Sequence, residues 1–149
     1  MDSSSLKQYS EEIKRKYLET IKYYIQEANT PAIYRTEYTK KDAYKYRKWL
    51  KQKRKERIAD AKKWCPWDDG YLYNALKQTL IDMFEYYRDD IWVWGVPIGE
   101  DTRKQTLAQA LALLTTAEYE EEFGDYELSQ QQFRIAFGYI AEHMKEWWD

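Results

Sequence analysis

Five segments of this chain carry apolar side chains at the three- and four-residue spacing of an α-helix. The chain also contains only five glycines and three prolines, which fits long helices joined by short connections. The pattern therefore predicts an all-α fold, a single-domain bundle of about five helices over residues 1–149. Their approximate bounds are 6–28, 40–64, 69–91, 102–123 and 130–147.

Residues at the start of each segment predict how its helix is capped. The predicted capping boxes are Ser5 with Gln8, Thr39 with Asp42, Thr102 with Gln105 and Ser129 with Gln132. For the third helix, Asp68 is the predicted N-cap, and Trp67 with Leu72 forms a hydrophobic staple. Asn29 before Pro31 predicts that the first helix ends in a left-handed cap.

The apolar stripes predict which residues face the core. The first helix offers Leu6, Tyr9, Ile13, Tyr17, Ile21, Tyr24 and Ala28, and the third offers Leu72, Leu76, Leu80, Met83 and Tyr87. The fourth offers Leu107, Leu111, Leu114 and either Ala117 or Glu118, and the fifth offers Phe133, Phe137, Ile140, Met144 and either Trp147 or Trp148. Large side chains at this spacing are typical of a buried face.

Charge is distributed very unevenly along the chain. Residues 40–64 hold twelve Lys and Arg against three Asp and Glu, a local charge of +9, whereas residues 100–149 carry −7. Residues 51–57 contain no apolar side chain over two helical turns. Either the middle of this helix bridges solvent, or the aliphatic stems of Lys53 and Arg57 cover the edge of the core with their charges outside.

The basic helix predicts a binding surface on one of its sides. Its members are Arg47, Lys51, Arg54, Lys55 and Lys62, with Tyr44 or Trp49 placed to stack on a base. The alternative is a solvated helix whose charge is balanced by the acidic run 118–122 with Asp125 and Glu127. A sequence pI of about 5.6 is low for a nucleic-acid-binding domain and favours this alternative or a protein partner.

The sequence offers little that points to catalysis. The only cysteine and the only histidine, Cys65 and His143, cannot supply the ligands of a usual zinc site, and no glycine-rich phosphate loop is present. Neighbouring acids such as Asp68 and Asp69 do not face each other on a helix. We therefore expect no enzymatic activity, no metal and no cofactor, and the lone cysteine favours a reducing cytoplasm.

Some aromatic residues exceed what one core can bury. In the run Ile91-Trp92-Val93-Trp94, at least one Trp is expected to be partly exposed, and Trp148 beside Trp147 poses the same problem. Exposed Trp side chains are frequent anchors of protein interfaces. Trp92, Trp94 and Trp148 are therefore candidate anchors for a partner, and a homodimer is one of the alternatives.

Two segments carry a family resemblance. Pro66 to Leu72 (PWDDGYL) resembles the PWD-x-G/A-[YF]-L helix start of small uncharacterised tailed-bacteriophage proteins, and residues 136–149 (AF…H…WWD) resemble their C-terminal segment. The resemblance covers about residues 64–149 and transfers no functional residue. It implies an accessory protein made in the cytoplasm of an infected bacterium.

Together these features favour a non-enzymatic protein that acts by binding. The expected partner is a host or antiviral-defence protein, including nucleoprotein complexes, which the chain would inhibit. Direct nucleic-acid binding by residues 40–64 is the first alternative, and sequestration of a small anionic ligand such as a nucleotide is the second. No apolar run approaches the roughly 20 residues that span a bilayer, and no signal peptide is expected, so no membrane partner is predicted.

Overall fold

A computed structural model of the chain describes residues 2–32, 37–88 and 101–147. These ranges contain five α-helices and one short 3₁₀ helix, and no strand occurs within them. The α-helices are α1 (Ser3–Ala28), α2 (Lys40–Ala61), α3 (Asp69–Arg88), α4 (Arg103–Phe123) and α5 (Tyr126–His143), and the 3₁₀ helix is Met144–Glu146. The predicted all-α class is confirmed.

The chain divides into two compact units. Unit 1 joins residues 1–31 to residues 102–149 and therefore contains α1, α4, α5 and the 3₁₀ helix. Unit 2 consists of residues 32–101 and contains α2 and α3.

Helix α4 is the central element of unit 1, because both α1 and α5 pack on it. Its fully buried leucines are Leu107, Leu111 and Leu114, and its buried alanines are Ala108, Ala110, Ala112 and Ala117. Alanines let neighbouring helices approach closely, and they allow burial over more than half of the helix circumference. This explains why α4 has no polar face of the usual amphipathic kind.

Two residues of α4, Lys104 and Thr106, tie its first turns to the ends of the neighbouring elements. Lys104 is buried, and its Nζ lies 2.6 Å from Glu27 Oε2 and donates to the carbonyl oxygen of Thr30 at 3.0 Å. Trp147, also buried, donates from Nε1 to Thr106 Oγ1 at 2.8 Å. The end of α1 and the C-terminal segment are therefore both anchored on α4.

The aromatic side chain of Tyr17 links α1 to the last turns of α4. Its ring meets Tyr119 and Phe123 edge-on, with centroids 6.4 and 6.0 Å away. Burial and the charges of Glu118 and Glu122 raise the pKa of Tyr17 to about 12, because both disfavour a phenolate.

Of the predicted helix starts, two agree with the structure. Thr39 and Asp42 form the reciprocal capping box, with Asp42 N 3.2 Å from Thr39 Oγ1 and Thr39 N 3.0 Å from Asp42 Oδ2. Asp68 Oδ1 accepts from Tyr71 N at 3.1 Å and so caps α3. The predicted staple is wrong, since Trp67 and Leu72 are both exposed and bury little against each other.

The other predicted capping boxes are wrong, and two of the helices concerned begin earlier than predicted. Helix α1 is capped by Asp2, whose Oδ1 accepts from Ser5 N, and α5 is capped by Asp125, whose Oδ1 accepts from Glu127 N. A carboxylate a few residues earlier in the chain thus replaces the expected hydroxyl. In the described part of the chain, the hydroxyl of Thr102 caps no N–H of α4.

The end of α1 also differs from the prediction. Asn29 has a φ of −104° and so does not adopt the left-handed conformation. Its side chain instead donates to the carbonyl oxygen of Ile25 at 2.8 Å, and the Thr30 hydroxyl donates to that of Gln26 at 2.7 Å. Side chains therefore satisfy the free carbonyls of the last turn.

The core face of α5 is rotated from the predicted stripe. Ser129, Ala136 and Ile140 are buried, whereas Phe137 and Met144 are exposed. Ser129 satisfies its buried hydroxyl by donating to the carbonyl oxygen of Tyr126 at 2.6 Å. The small residues face inward because α5 packs closely on α4, and this close approach leaves little room between the two helices for aromatic rings.

The buried ion pair of Lys104 predicts a large effect of its removal. We expect Lys104→Met to lower the free energy of unfolding by about 3 kcal/mol, because Glu27 then lacks its counter-charge. Urea denaturation measures this. The matched control is Arg15→Met, which breaks the exposed 2.7 Å pair with Glu19 on α1 and should cost at most about 0.5 kcal/mol. Equal losses in the two variants would contradict the structural role of Lys104.

The raised pKa of Tyr17 predicts a specific loss of stability at alkaline pH. The phenol of Tyr17 has a pKa of 10.0 in the unfolded chain and about 12 in the folded chain. Its contribution to the free energy of unfolding is therefore complete below pH 10.0 and is lost as pH rises through about 12. We expect Tyr17→Phe to flatten the decline in unfolding free energy over this interval. Denaturation across the interval tests it, with exposed Tyr126→Phe as control; a wild-type slope in Tyr17→Phe would refute the assignment.

Candidate functional site: the cationic face of α2

The basic residues of helix α2 fall into two groups that point in different directions. Lys53 and Arg57, four residues apart, lie toward α3, whereas most other cations point to solvent. None of the helix's described residues is fully buried, in keeping with the missing apolar side chains at 51–57. Lys53 and Arg57 do cover the side of α2 that meets α3, but the prediction that their charges lie outside is wrong, because both charged groups face carboxylates of α3.

The inward cations meet carboxylates on α3. Lys53 Nζ lies 3.0 Å from Glu85 Oε2 and 3.8 Å from Asp82 Oδ1, and Arg57 Nε lies 3.2 Å from Asp82 Oδ2. Glu56 and Asp60 of α2 itself add contacts of 3.5 Å to Lys53 and 3.0 Å to Arg57. Arg57 Nε and Nη1 make ion pairs by distance rather than aligned hydrogen bonds, since they meet no acceptor of suitable geometry in the described ranges, whereas its Nη2 donates to Glu56 Oε2 at 3.3 Å.

This network holds Lys53 in its charged form. Burial by itself lowers the pKa of Lys53, but the hydrogen bond and charge of Glu85 outweigh it, with help from Asp82 and Glu56. The net pKa of Lys53 is raised. Charge pairing thus outweighs desolvation at this position, which identifies Lys53 as a structural residue.

The outward cations form a continuous surface, which we call the cationic face. It consists of Arg47, Lys51, Arg54, Lys55 and Lys62, all exposed, and it lines one depression along α2 together with Leu50, Ile58 and Ala59. The fifteen residue steps from Arg47 to Lys62 correspond to about 22 Å of helix. None of the five cationic side chains pairs with any residue within the described ranges.

The two aromatic candidates on α2 lie on different sides. Tyr44 is 60% exposed and precedes Arg47 by three residues, which places it on the cationic face. Trp49 is half-buried, stacked on Tyr46 at 6.3 Å and tilted against Tyr86 of α3 at 6.1 Å. The structure therefore brings Tyr44 together with the predicted cations and places Trp49 apart from them.

The three remaining candidate anchors, Trp92, Trp94 and Trp148, lie outside the described residues. Two other tryptophans take their place as exposed aromatics, Trp64 and the 83% exposed Trp67 in the turn between α2 and α3. Sequence reasoning assigned them to the end of a helix and to a staple. The available signal was Pro66, which separates both rings from any helical stripe.

The single histidine and the single cysteine belong to different units. His143 Nδ1 lies 3.0 Å from Glu146 Oε2, its ring packs against Tyr139, and it belongs to unit 1, whereas the half-buried Cys65 belongs to unit 2. Within the described ranges no group of three His, Cys, Asp or Glu side chains is placed to hold a metal ion. No helix in these ranges is long and apolar enough to cross a membrane.

No protein family model matches the chain, and neither a curated protein nor a solved structure matches it.

Because the inward cations of α2 are paired and the outward ones are not, Lys53 and Lys55 should differ in their effect on stability although they are only two residues apart. We expect Lys53→Ala to lower the free energy of unfolding by about 1 kcal/mol more than Lys55→Ala, because only Lys53 meets carboxylates of α3. Urea denaturation of both variants gives the comparison. Equal stabilities would mean that the Lys53 network contributes nothing.

Proposed function

We propose that this protein is a non-enzymatic binding protein that attaches through the cationic face of α2 to an acidic surface of a partner protein. The observation that supports this is the contrast along one helix, where Lys53 and Arg57 are paired internally and five neighbouring cations are not. A charged surface of this kind steers an oppositely charged partner and fixes its orientation.

The apolar residues of the face favour a protein over a nucleic acid. Ile58 is 60% exposed and sits among Arg54, Lys55 and Lys62, and Leu50 lies one turn before Arg54. Protein interfaces combine apolar contact with a polar rim. A pI of about 5.6 for the chain also argues against general affinity for a polyanion.

The resemblance to tailed-bacteriophage proteins supports a choice of partner. We propose a host or antiviral-defence complex in the cytoplasm of an infected bacterium, including nucleic-acid-guided nucleases. Binding of the cationic face to an acidic surface needed by that complex would inhibit it without any catalytic step.

One observation favours a second candidate, direct nucleic-acid binding. Exposed Tyr44 lies one turn from Arg47, and an aromatic ring next to unpaired cations suits base stacking with phosphate contacts. Sequestration of a nucleotide is supported less well, because the face is open and about 22 Å long, whereas sites for small ligands are concave and enclosing.

The cationic face predicts a loss of partner binding on charge reversal. The variant Lys51→Glu/Arg54→Glu/Lys55→Glu should capture at least about tenfold less of the bacterial partner protein than the wild type does, because three favourable contacts become repulsive. The matched control, Lys7→Glu/Lys22→Glu/Lys145→Glu, changes the net charge equally at exposed positions of unit 1. Affinity capture with quantitative mass spectrometry measures both variants.

Unchanged capture by the α2-reversed variant would contradict the proposed function. A labelled oligonucleotide added to the same preparations separates the second candidate. Binding that falls steeply with salt and is lost in the α2-reversed variant would instead establish the cationic face as a nucleic-acid site.

A further inference from the structure

We propose that the cationic face of α2 also binds the acidic end of unit 1 on a second copy of this chain. The acidic end consists of Glu121 and Glu122 in the last turn of α4, Asp125, and the first turn of α5 with Tyr126, Glu127 and Leu128. The two surfaces belong to segments of opposite charge, +9 over residues 40–64 and −7 over residues 100–149. The proposal stands independently of the proposed function except where the two compete for the same face.

The acidic end lacks cations of its own. The last turn of α4 contains no basic residue, so the negative end of the helix dipole adds to the carboxylates there. Glu120 and Asp125 are engaged locally, since Glu120 Oε1 accepts from Asp125 N at 3.0 Å and Asp125 caps α5. Glu121, Glu122 and Glu127 are exposed, and in the described part of the chain none of them pairs with a Lys or Arg, although Glu122 accepts a hydrogen bond from the Tyr17 hydroxyl.

The two surfaces match in their apolar content as well as in charge. Tyr126 and Leu128 are exposed on either side of Glu127, as Leu50 and Ile58 lie among the cations of α2. A contact between copies would therefore pair carboxylates with ammonium or guanidinium groups and bury apolar side chains from both partners. Such mixed contacts are typical of protein interfaces.

The expected association is weak and sensitive to salt. Exposed ion pairs contribute little individually, so several must form together, and ions in solution screen them. Since the cationic face serves both contacts, a second copy and the acidic partner protein would exclude each other. A high concentration of the protein would then keep the face covered until a stronger partner displaces the copy.

Sedimentation velocity of the full chain tests this directly. We expect a mass above 18.2 kDa at about 0.01 M salt, falling to 18.2 kDa at about 1 M salt. Two variants should remain at 18.2 kDa at low salt, Lys51→Glu/Arg54→Glu/Lys55→Glu, which reverses α2, and Glu121→Lys/Glu122→Lys/Glu127→Lys, which reverses the acidic end. Circular dichroism confirms that each variant remains helical.

The decisive sedimentation experiment uses a mixture of the two reversed variants. The now acidic α2 of the first faces the now basic end of the second, and their two unchanged surfaces also complement each other, so the mixture should associate although neither variant does alone. A wild-type protein that stays at 18.2 kDa at low salt, or variants that associate as the wild type does, would overturn the proposal. So would a mass increase that nuclease treatment abolishes, which would assign the cationic face to nucleic acid. Retained capture of a bacterial protein in any of these cases would leave the proposed function standing.

Discussion

Helix α2 has too few apolar side chains to be held by burial, and its attachment to α3 depends on the charge network of Lys53 and Arg57. Asp82 and Glu85 provide the counter-charges on α3, and the rings of Tyr46, Trp49 and Tyr86 add the apolar contact. A network of several pairs can hold a helix that isolated surface pairs could not. Because the inward side is satisfied in this way, the outward cations take no part in this attachment, and they remain exposed as the proposed binding surface.

Unit 1 is held together by the opposite arrangement. Helix α4 is buried around most of its circumference, and its leucines and alanines pack against α1 and α5. Polar contacts at its start, made by Lys104 and Thr106, anchor the neighbouring segments. One chain therefore contains a unit stabilised mainly by apolar packing and a unit in which charge pairing is prominent, and the proposed function lies in the second.

Much of the helical architecture follows from the sequence, because apolar spacing and turn residues are local signals. The exact starts do not follow where two capping residues compete, as with Asp125 and Ser129 at α5. The inward side of α5 also escapes prediction, because the close approach of α4 favours Ala136 over the larger Phe137. Local patterns do not report how near a neighbouring helix lies.

The same reasoning explains which parts of the candidate site were predictable. Helical periodicity alone places Arg47, Lys51, Arg54, Lys55 and Lys62 on one side. Periodicity does not show that Lys53 and Arg57 pair with Asp82, since that carboxylate is 25 residues or more away in sequence. The overall charge distribution favours instead the acidic run 118–122 as the balancing charge. Trp49 was grouped with the cations for the same reason, because only the position of Tyr86 reveals the packed side of α2.

The division of α2 into paired and free cations is the central claim, and the reactivity of each lysine toward an amine-acetylating reagent tests it most directly. Quantitative mass spectrometry of the briefly labelled native protein should show fast acetylation of Lys51, Lys55 and Lys62. Lys53 should be protected, because its amine is partly buried, bound to Glu85 and held in the protonated form. Acetylation of Lys53 at the rate of Lys51 would contradict the claim and remove the structural basis for a separate cationic face.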